Sequence, residues 1–174
     1  MKRPSIPDPY LAVIRAFNRV GVQYVVIGMA GINYYARQPS EAFATMDYDL
    51  FLKPTLTNVQ KALRQLRRLE FSFGTSVGAV EERELRTVVR KRQTLVATTP
   101  DGIMVELLLA VSGYTFEELA KDAATLTVQD TPVRVGQLTK LLRSKRLAGR
   151  PKDRQFLKCY EALLEERPTA QKSP

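Results

Sequence analysis

The chain has 174 residues, 44% hydrophobic and 26% charged, with a formal net charge of +9. That is an ordinary globular composition, long enough to bury a core without staples. The single cysteine, Cys159, excludes an intramolecular disulfide and a cysteine zinc cage, and the lack of any histidine excludes Ser–His and Cys–His nucleophile systems.

Asp8-Pro9 reads as an N-cap followed by proline at the first helical position, with Leu11, Ile14, Phe17 and Val20 at helical spacing and Gly21 as the stop. The β-branched run from Val22 to Gly28 reads as a buried strand, Ala30 to Arg37 as a short helix, and Met46 to Leu52 as a second strand stopped by Pro54. Thr57 is placed to cap a helix over Asn58 to Glu70, while residues 71–85 are open between strand, loop and helical turn. Leu85 to Thr99 and Ile103 to Val111 read as strands around the turn signal Pro100-Asp101-Gly102. Thr115 and Glu118 form a capping box. A short strand and turn follow up to Val135, then two helices broken at Gly149 to Pro151.

The expected fold class is α/β (α+β), a mixed β-sheet with flanking helices and a helical C-terminal segment. One domain is expected over residues 1–167, with a core over 20–110, the helical segment over 136–166, and a disordered tail over 168–174. No apolar stretch follows the basic N-terminus and none reaches transmembrane length, so a cytoplasmic location is expected. Cys159, beside Phe156, Leu157 and Leu163, is expected to be a buried thiol.

The segment "ATMDYDLFLKP" carries the chemistry. Strand side chains alternate, so Asp47 and Asp49 share one face while Tyr48 and Leu50 share the other. Two close carboxylates repel and resist burial, so a lysine, an arginine or a divalent cation must relieve them. Glu106 is a third acid in an otherwise apolar strand, where a lone carboxylate is expensive. If the two strands pair, the three acids gather. A glycine at the turn from strand to helix, in "YVVIGMAGINYYA", lets backbone approach a phosphate.

With these residues the chain resembles the nucleotidyltransferase superfamily, the polymerase-β-like fold, and within it small proteins of the abortive-infection and toxin–antitoxin type. The match lies in Gly28-Met29-Ala30-Gly31, Thr45-Met46-Asp47-Tyr48-Asp49-Leu50, Glu106, and a C-terminal segment holding Lys145, Arg150 and Asp153. The resemblance implies that Asp47, Asp49 and Glu106 are catalytic and hold two Mg²⁺ ions. It implies that Gly28, Met29, Ala30, Thr45, Lys145, Arg150 and Asp153 bind the nucleotide, and that NMP passes from an NTP to a hydroxyl. Met29 stands where the family has glycine or serine, and "RQPSEAFA" is an insertion.

The acceptor is less defined. Eight basic residues against one acid between Gly136 and Lys158, and a second cluster of Arg83, Arg86, Arg90, Lys91 and Arg92, suit RNA phosphates, tRNA included. A solvated helix face explains them equally well. Tyr34, Tyr35 and Tyr48 are available to stack on a base or to fill a core. Three readings stand: the metal-dependent enzyme; a catalytically silent relative binding nucleotide, RNA or a cognate toxin or antitoxin protein; and an unrelated basic nucleic-acid-binding protein.

Overall fold

The structure, a computed structural model, describes residues 8–166. The N-terminal basic residues and the tail beyond Glu166 lie outside these. Helix α1 (Pro9–Val20) begins where expected: the Asp8 carboxylate accepts from the Tyr10 and Leu11 amides, and Gly21 ends the helix at φ 68°. Strand β1 (Tyr24–Ile27) runs directly into helix α2 (Gly28–Asn33), which starts and stops earlier than the sequence suggested. The insertion carries one 3₁₀ turn (Pro39–Glu41) and leads to β2 (Asp47–Leu52). Phe43 pins it in place, exchanging two hydrogen bonds with the Asn33 side chain and packing its ring at 4.8 Å from Phe156.

Helix α3 (Leu56–Arg68) is capped by Thr55, whose hydroxyl accepts from the Asn58 amide, and not by Thr57, which is exposed within the first turn. Proline at 54 explains the shift, because it ends the strand and leaves Thr55 extended at the cap position. Strands β3 (Ser72–Thr75) and β4 (Gly78–Ala79) resolve the ambiguous stretch. The expected strand from Leu85 to Thr99 is instead helix α4 (Leu85–Arg90) followed by β5 (Leu95–Thr98). A capping box between Glu81 and Glu84 turns the chain into α4, and Leu85 and Val88 bury one side of it, so packing overrides the strand preference of Thr87, Val88 and Val89.

Strand β6 (Met104–Leu108) completes the expected hairpin with β5. Helix α5 (Phe116–Ala120) opens on the Thr115–Glu118 capping box. The next stretch holds two strands rather than one, β7 (Ala124–Val128) and β8 (Thr131–Val135), joined through Gln129 and Asp130, both at positive φ. Helices α6 (Leu138–Ala148) and α7 (Pro151–Glu166) break at Gly149, as expected. The buried stripe of α7 is Asp153, Phe156, Leu157 and Tyr160, and Cys159 falls beside it, exposed, against the expectation of a buried thiol.

The eight strands form one mixed sheet in the order β4-β3-β5-β6-β2-β1-β8-β7. Pairs β2–β6 and β1–β8 are parallel and the others antiparallel. The expected fold class is therefore what the chain adopts. Tyr10 on α1 stacks on Tyr48 with ring centroids 4.6 Å apart, so α1 covers the face to which Tyr48 points, and α3 packs on α1. Phe116 on α5 meets Phe51 edge-on at 5.5 Å, so α5 covers the opposite face, the one bearing Asp47 and Asp49. Among the described residues no helix is long and apolar enough to cross a membrane.

Candidate active site

The sheet register brings the acids together. Asp49 lies directly opposite Glu106 on the parallel neighbour β6 and opposite Ile27 on the antiparallel neighbour β1. These are the three central strands, where Leu50, Val105 and Leu107 fill the interior with no exposure. A carboxyl anchored among them is half-buried whether or not its charge is relieved. Asp49 shows the cost: its pKa is pushed up from 3.8 to about 7, first by burial, then by the charges of Glu106 and Asp47. In its protonated form it donates a hydrogen bond to Glu106, and Lys145 opposes the rise.

Asp47, at the start of β2, acts on Asp49 through its charge alone. Its backbone is held by Thr45, whose hydroxyl donates to the Asp47 carbonyl and accepts from the Asp47 amide, both at 3.1 Å. Thr45 thus orients the strand end rather than entering the cleft. Among the described residues no three acidic side chains close around a common point as a preformed metal cluster does. Asp49 and Glu106 face each other on adjacent strands, and Asp47 reaches Asp49 through its charge.

Gly28 sits where the Asp49 carboxyl needs space. Its φ is +65°, and a Cβ there would overlap the carboxyl group of Asp49. Glycine is required twice, for the backbone conformation and for the approach. Gly28 lines the cleft, whereas Ala30 is buried in the core and Met29 packs against it.

The opposite wall comes from α6 and α7. Asp153 is 1% exposed, and it accepts from Arg150 Nε at 2.6 Å and from Lys145 Nζ at 3.4 Å. Burial pulls the Asp153 carboxyl upward, but the Arg150 hydrogen bonds and the charges of Lys145 and Arg150 outweigh it and leave it below its ordinary value. Arg150 is raised chiefly by its hydrogen bond to Asp153, with the charges of Asp49 and Glu106 adding to it. Lys145 is fixed a second time by Phe156, whose ring centroid lies 4.9 Å from the ammonium. The sequence does not reveal that Asp153 faces away from the cleft and holds two cations toward it.

A cleft of about 510 Å³ lies between these walls, bordered by Asp49 and Gly28 on one side and Lys145 and Arg150 on the other. Its remaining lining includes Leu108, Val111, Leu141 and Ser144. Ser112 and Ser144 carry no mark in the sequence; only the approach of the loop after β6 to α6 brings them to the cleft. The tyrosines serve the fold. Tyr48 is buried and hydrogen-bonded to Tyr34, and Tyr35 donates to the Gly136 carbonyl.

No protein-family model matches the chain, and no curated protein matches its sequence. Among solved structures, an antigenic nucleotidyltransferase-like protein from Paracoccidioides brasiliensis is similar at a TM-score of 0.53 and 16% identity, over 90% of this chain and 75% of that one. The Megavirus polyadenylate synthase is similar at a TM-score of 0.47 and 11% identity, over 95% of this chain but only 35% of its own. The first likeness, across nearly the whole chain, shows that the two proteins share the fold, a mixed α/β sheet with flanking helices.

Proposed function

We propose that the protein is a nucleotidyltransferase that moves a nucleoside monophosphate from an NTP to a hydroxyl acceptor, releasing pyrophosphate. The observation that carries this reading is the opposition across one cleft of Asp49, which is paired with Glu106 on the neighbouring strand, and two cations anchored by a buried aspartate. The acid pair has oxygen donors only, and burial with the repulsion of its neighbours pushes the pKa of Asp49 up to about 7, so a hard divalent cation would fit and relieve it. Asp47, Asp49 and Glu106 are the residues that would hold it, and Mg²⁺ bound there would neutralise phosphate charge.

The chain's own groups have distinct tasks in this reading. Glu106 takes the proton of the acceptor hydroxyl. Lys145 and Arg150 offset the charge that grows on the departing pyrophosphate. Asp153 positions both cations. The glycine at 28 keeps the acid wall open to the triphosphate. The basic surface of α6 and α7 suits an RNA acceptor, tRNA among them, and the resemblance to the abortive-infection and toxin–antitoxin type extends the proposal to a defence setting with a cognate protein partner.

Incubation with Mg²⁺, each labelled NTP and total RNA tests this, beside Asp47→Asn/Asp49→Asn. The expected loss of label transfer in the variant is about 10²-fold or more. Transfer that survives in the variant contradicts the assignment. A second reading, nucleotide binding without transfer, is favoured by Met29, which stands where the family has glycine or serine. Under that reading no acceptor is labelled, while NTP binding persists in the wild type and falls in Lys145→Ala.

A further inference from the structure

The helices on the far face of the sheet share a feature that the cleft does not use. Tyr48 points away from Asp47 and Asp49, and α1 lies on that side; α3 packs on α1, and α4 packs on α3. None of these three helices contains an aspartate or glutamate. Apart from Arg67, their basic residues fall three or four apart: Arg15 and Arg19 on α1, Lys61, Arg64 and Arg68 on α3, Arg86 and Arg90 on α4. Such spacing puts each set on one side of its helix. Every arginine in these sets is exposed.

Glu70, just after α3, and Asp130, which borders Arg15 and Arg19, form no ion pair with these arginines, and the acids before α4 are engaged elsewhere. Glu82 is committed to Arg67, Glu81 to Arg83, and Glu84 caps the Glu81 amide. Arg15 is tied down, donating to Thr131 and to the Gln129 carbonyl. Arg19, Arg64, Arg68, Arg86 and Arg90 form no ion pair with the described residues. Between α1 and α3 lies a groove of about 370 Å³, floored by Ala12, Ala16 and Leu69 and rimmed by Arg15, Arg19 and Arg68. The two alanines make the groove, since any larger side chain at those positions would fill it.

We propose that the α1–α3–α4 face binds the phosphate backbone of a nucleic-acid strand, without reading its sequence. Guanidinium groups suit phosphate because they offer paired donors in a fixed fork. An anionic membrane is the weaker partner. Adsorption to a bilayer needs apolar side chains to insert, and the exposed large apolar residues, Met46, Val77, Leu147 and Leu164, all lie off these helices. This face lies across the sheet from Asp49, so its binding does not rest on the reaction proposed for the cleft.

The test is fluorescence anisotropy with a labelled mixed-sequence RNA oligonucleotide and with the DNA of the same sequence, titrated between about 50 and 200 mM salt. Arg19→Gln/Arg64→Gln/Arg68→Gln is compared with a charge-matched variant outside both basic surfaces, Arg37→Gln/Lys121→Gln/Arg134→Gln, whose side chains are likewise exposed. The first should weaken binding at least about tenfold and flatten the log–log salt slope by about 2, since each of the three arginines contributes about 0.7 to the slope on a single strand. The charge-matched variant should stay within about twofold of wild type. Equal losses in the two variants would reduce the effect to net charge and overturn the proposal, as would binding by the first variant within twofold of wild type. Arg86→Gln/Arg90→Gln provides a second variant, in which a smaller loss is expected and no loss counts against the α4 end of the face. Capture by phosphatidylserine vesicles without oligonucleotide binding also overturns it. RNA and DNA arms that agree identify phosphate as what is recognised; a preference for RNA adds the ribose hydroxyl.

Discussion

The two faces of the sheet treat charge in opposite ways. On the cleft face Asp49, Glu106, Lys145 and Arg150 are few, opposed in sign and partly withdrawn from water, so their charges act on Asp49 and Arg150. On the far face the arginines of α1, α3 and α4 are many, alike in sign and exposed. Water and salt screen the second set, so it costs the fold little and leaves a long-range field for a polyanion. The first set is held in place by the core around it and responds to a single proton.

The comparison can be broken most severely at Asp153. Asp153→Ala leaves Lys145 and Arg150 without their common anchor, and a loss of about 3 kcal/mol in chemical denaturation is expected, toward the low end for a buried pair because Arg150 is more than half exposed. Gly28→Ala should follow at about 2 kcal/mol, since it sets a Cβ at positive φ against the carboxyl of Asp49. A melting temperature unchanged in that variant would show that Asp49 moves freely, and the strained pair would lose its geometric basis.

Asp49→Asn should have the opposite sign. A carboxyl whose pKa rises on folding binds its proton more tightly in the native state, so that state loses stability as the pH climbs from about 4 toward about 7. Above pH 7 the ionised Asp49 is a full cost. The asparagine variant, free of metal, should therefore gain on the order of 2 kcal/mol at pH 8 and little at pH 4, read from paired denaturation curves. Equal effects at both pH values would mean that the carboxyl is not held in its protonated form. The smallest effect belongs to the far face: Arg86→Gln/Arg90→Gln should change stability by less than about 0.5 kcal/mol at any pH between 5 and 8.

The sequence showed the strained face more clearly than the far one. Asp47 and Asp49 stand out because carboxylates are costly in a strand like "DYDLFL", and Glu106 stands out for the same reason; their strands β2 and β6 proved to pair in register. Caps and breaks at Asp8, Thr115 and Gly149 were legible because they are local chemistry. Helix α4 was not, because six residues are too short for a helical period and three of them favour strands; only packing against α3 decides it. Cys159 was misplaced because its neighbours on α7 are apolar while the stripe that buries runs through Asp153 instead. The role of Asp153 lies partly beyond local pattern, since its hold on Lys145 depends on how α6 meets α7, whereas Thr45 bonds only to Asp47, two residues on. The far-face arginines are visible singly in the sequence, but their union depends on α1 meeting α3 across the intervening strands.

The central claim is that Asp49 and Glu106 form a site for a divalent cation, opened by loss of a proton near neutrality. Calorimetric titration of Mg²⁺ into wild type and Asp49→Asn, repeated from pH 5 to pH 8, tests it most directly. Wild-type affinity should climb as the pH rises through about 7 and level off above it, and the binding should be lost in Asp49→Asn. No Mg²⁺-dependent heat at any pH, or equal binding by the variant, would contradict it.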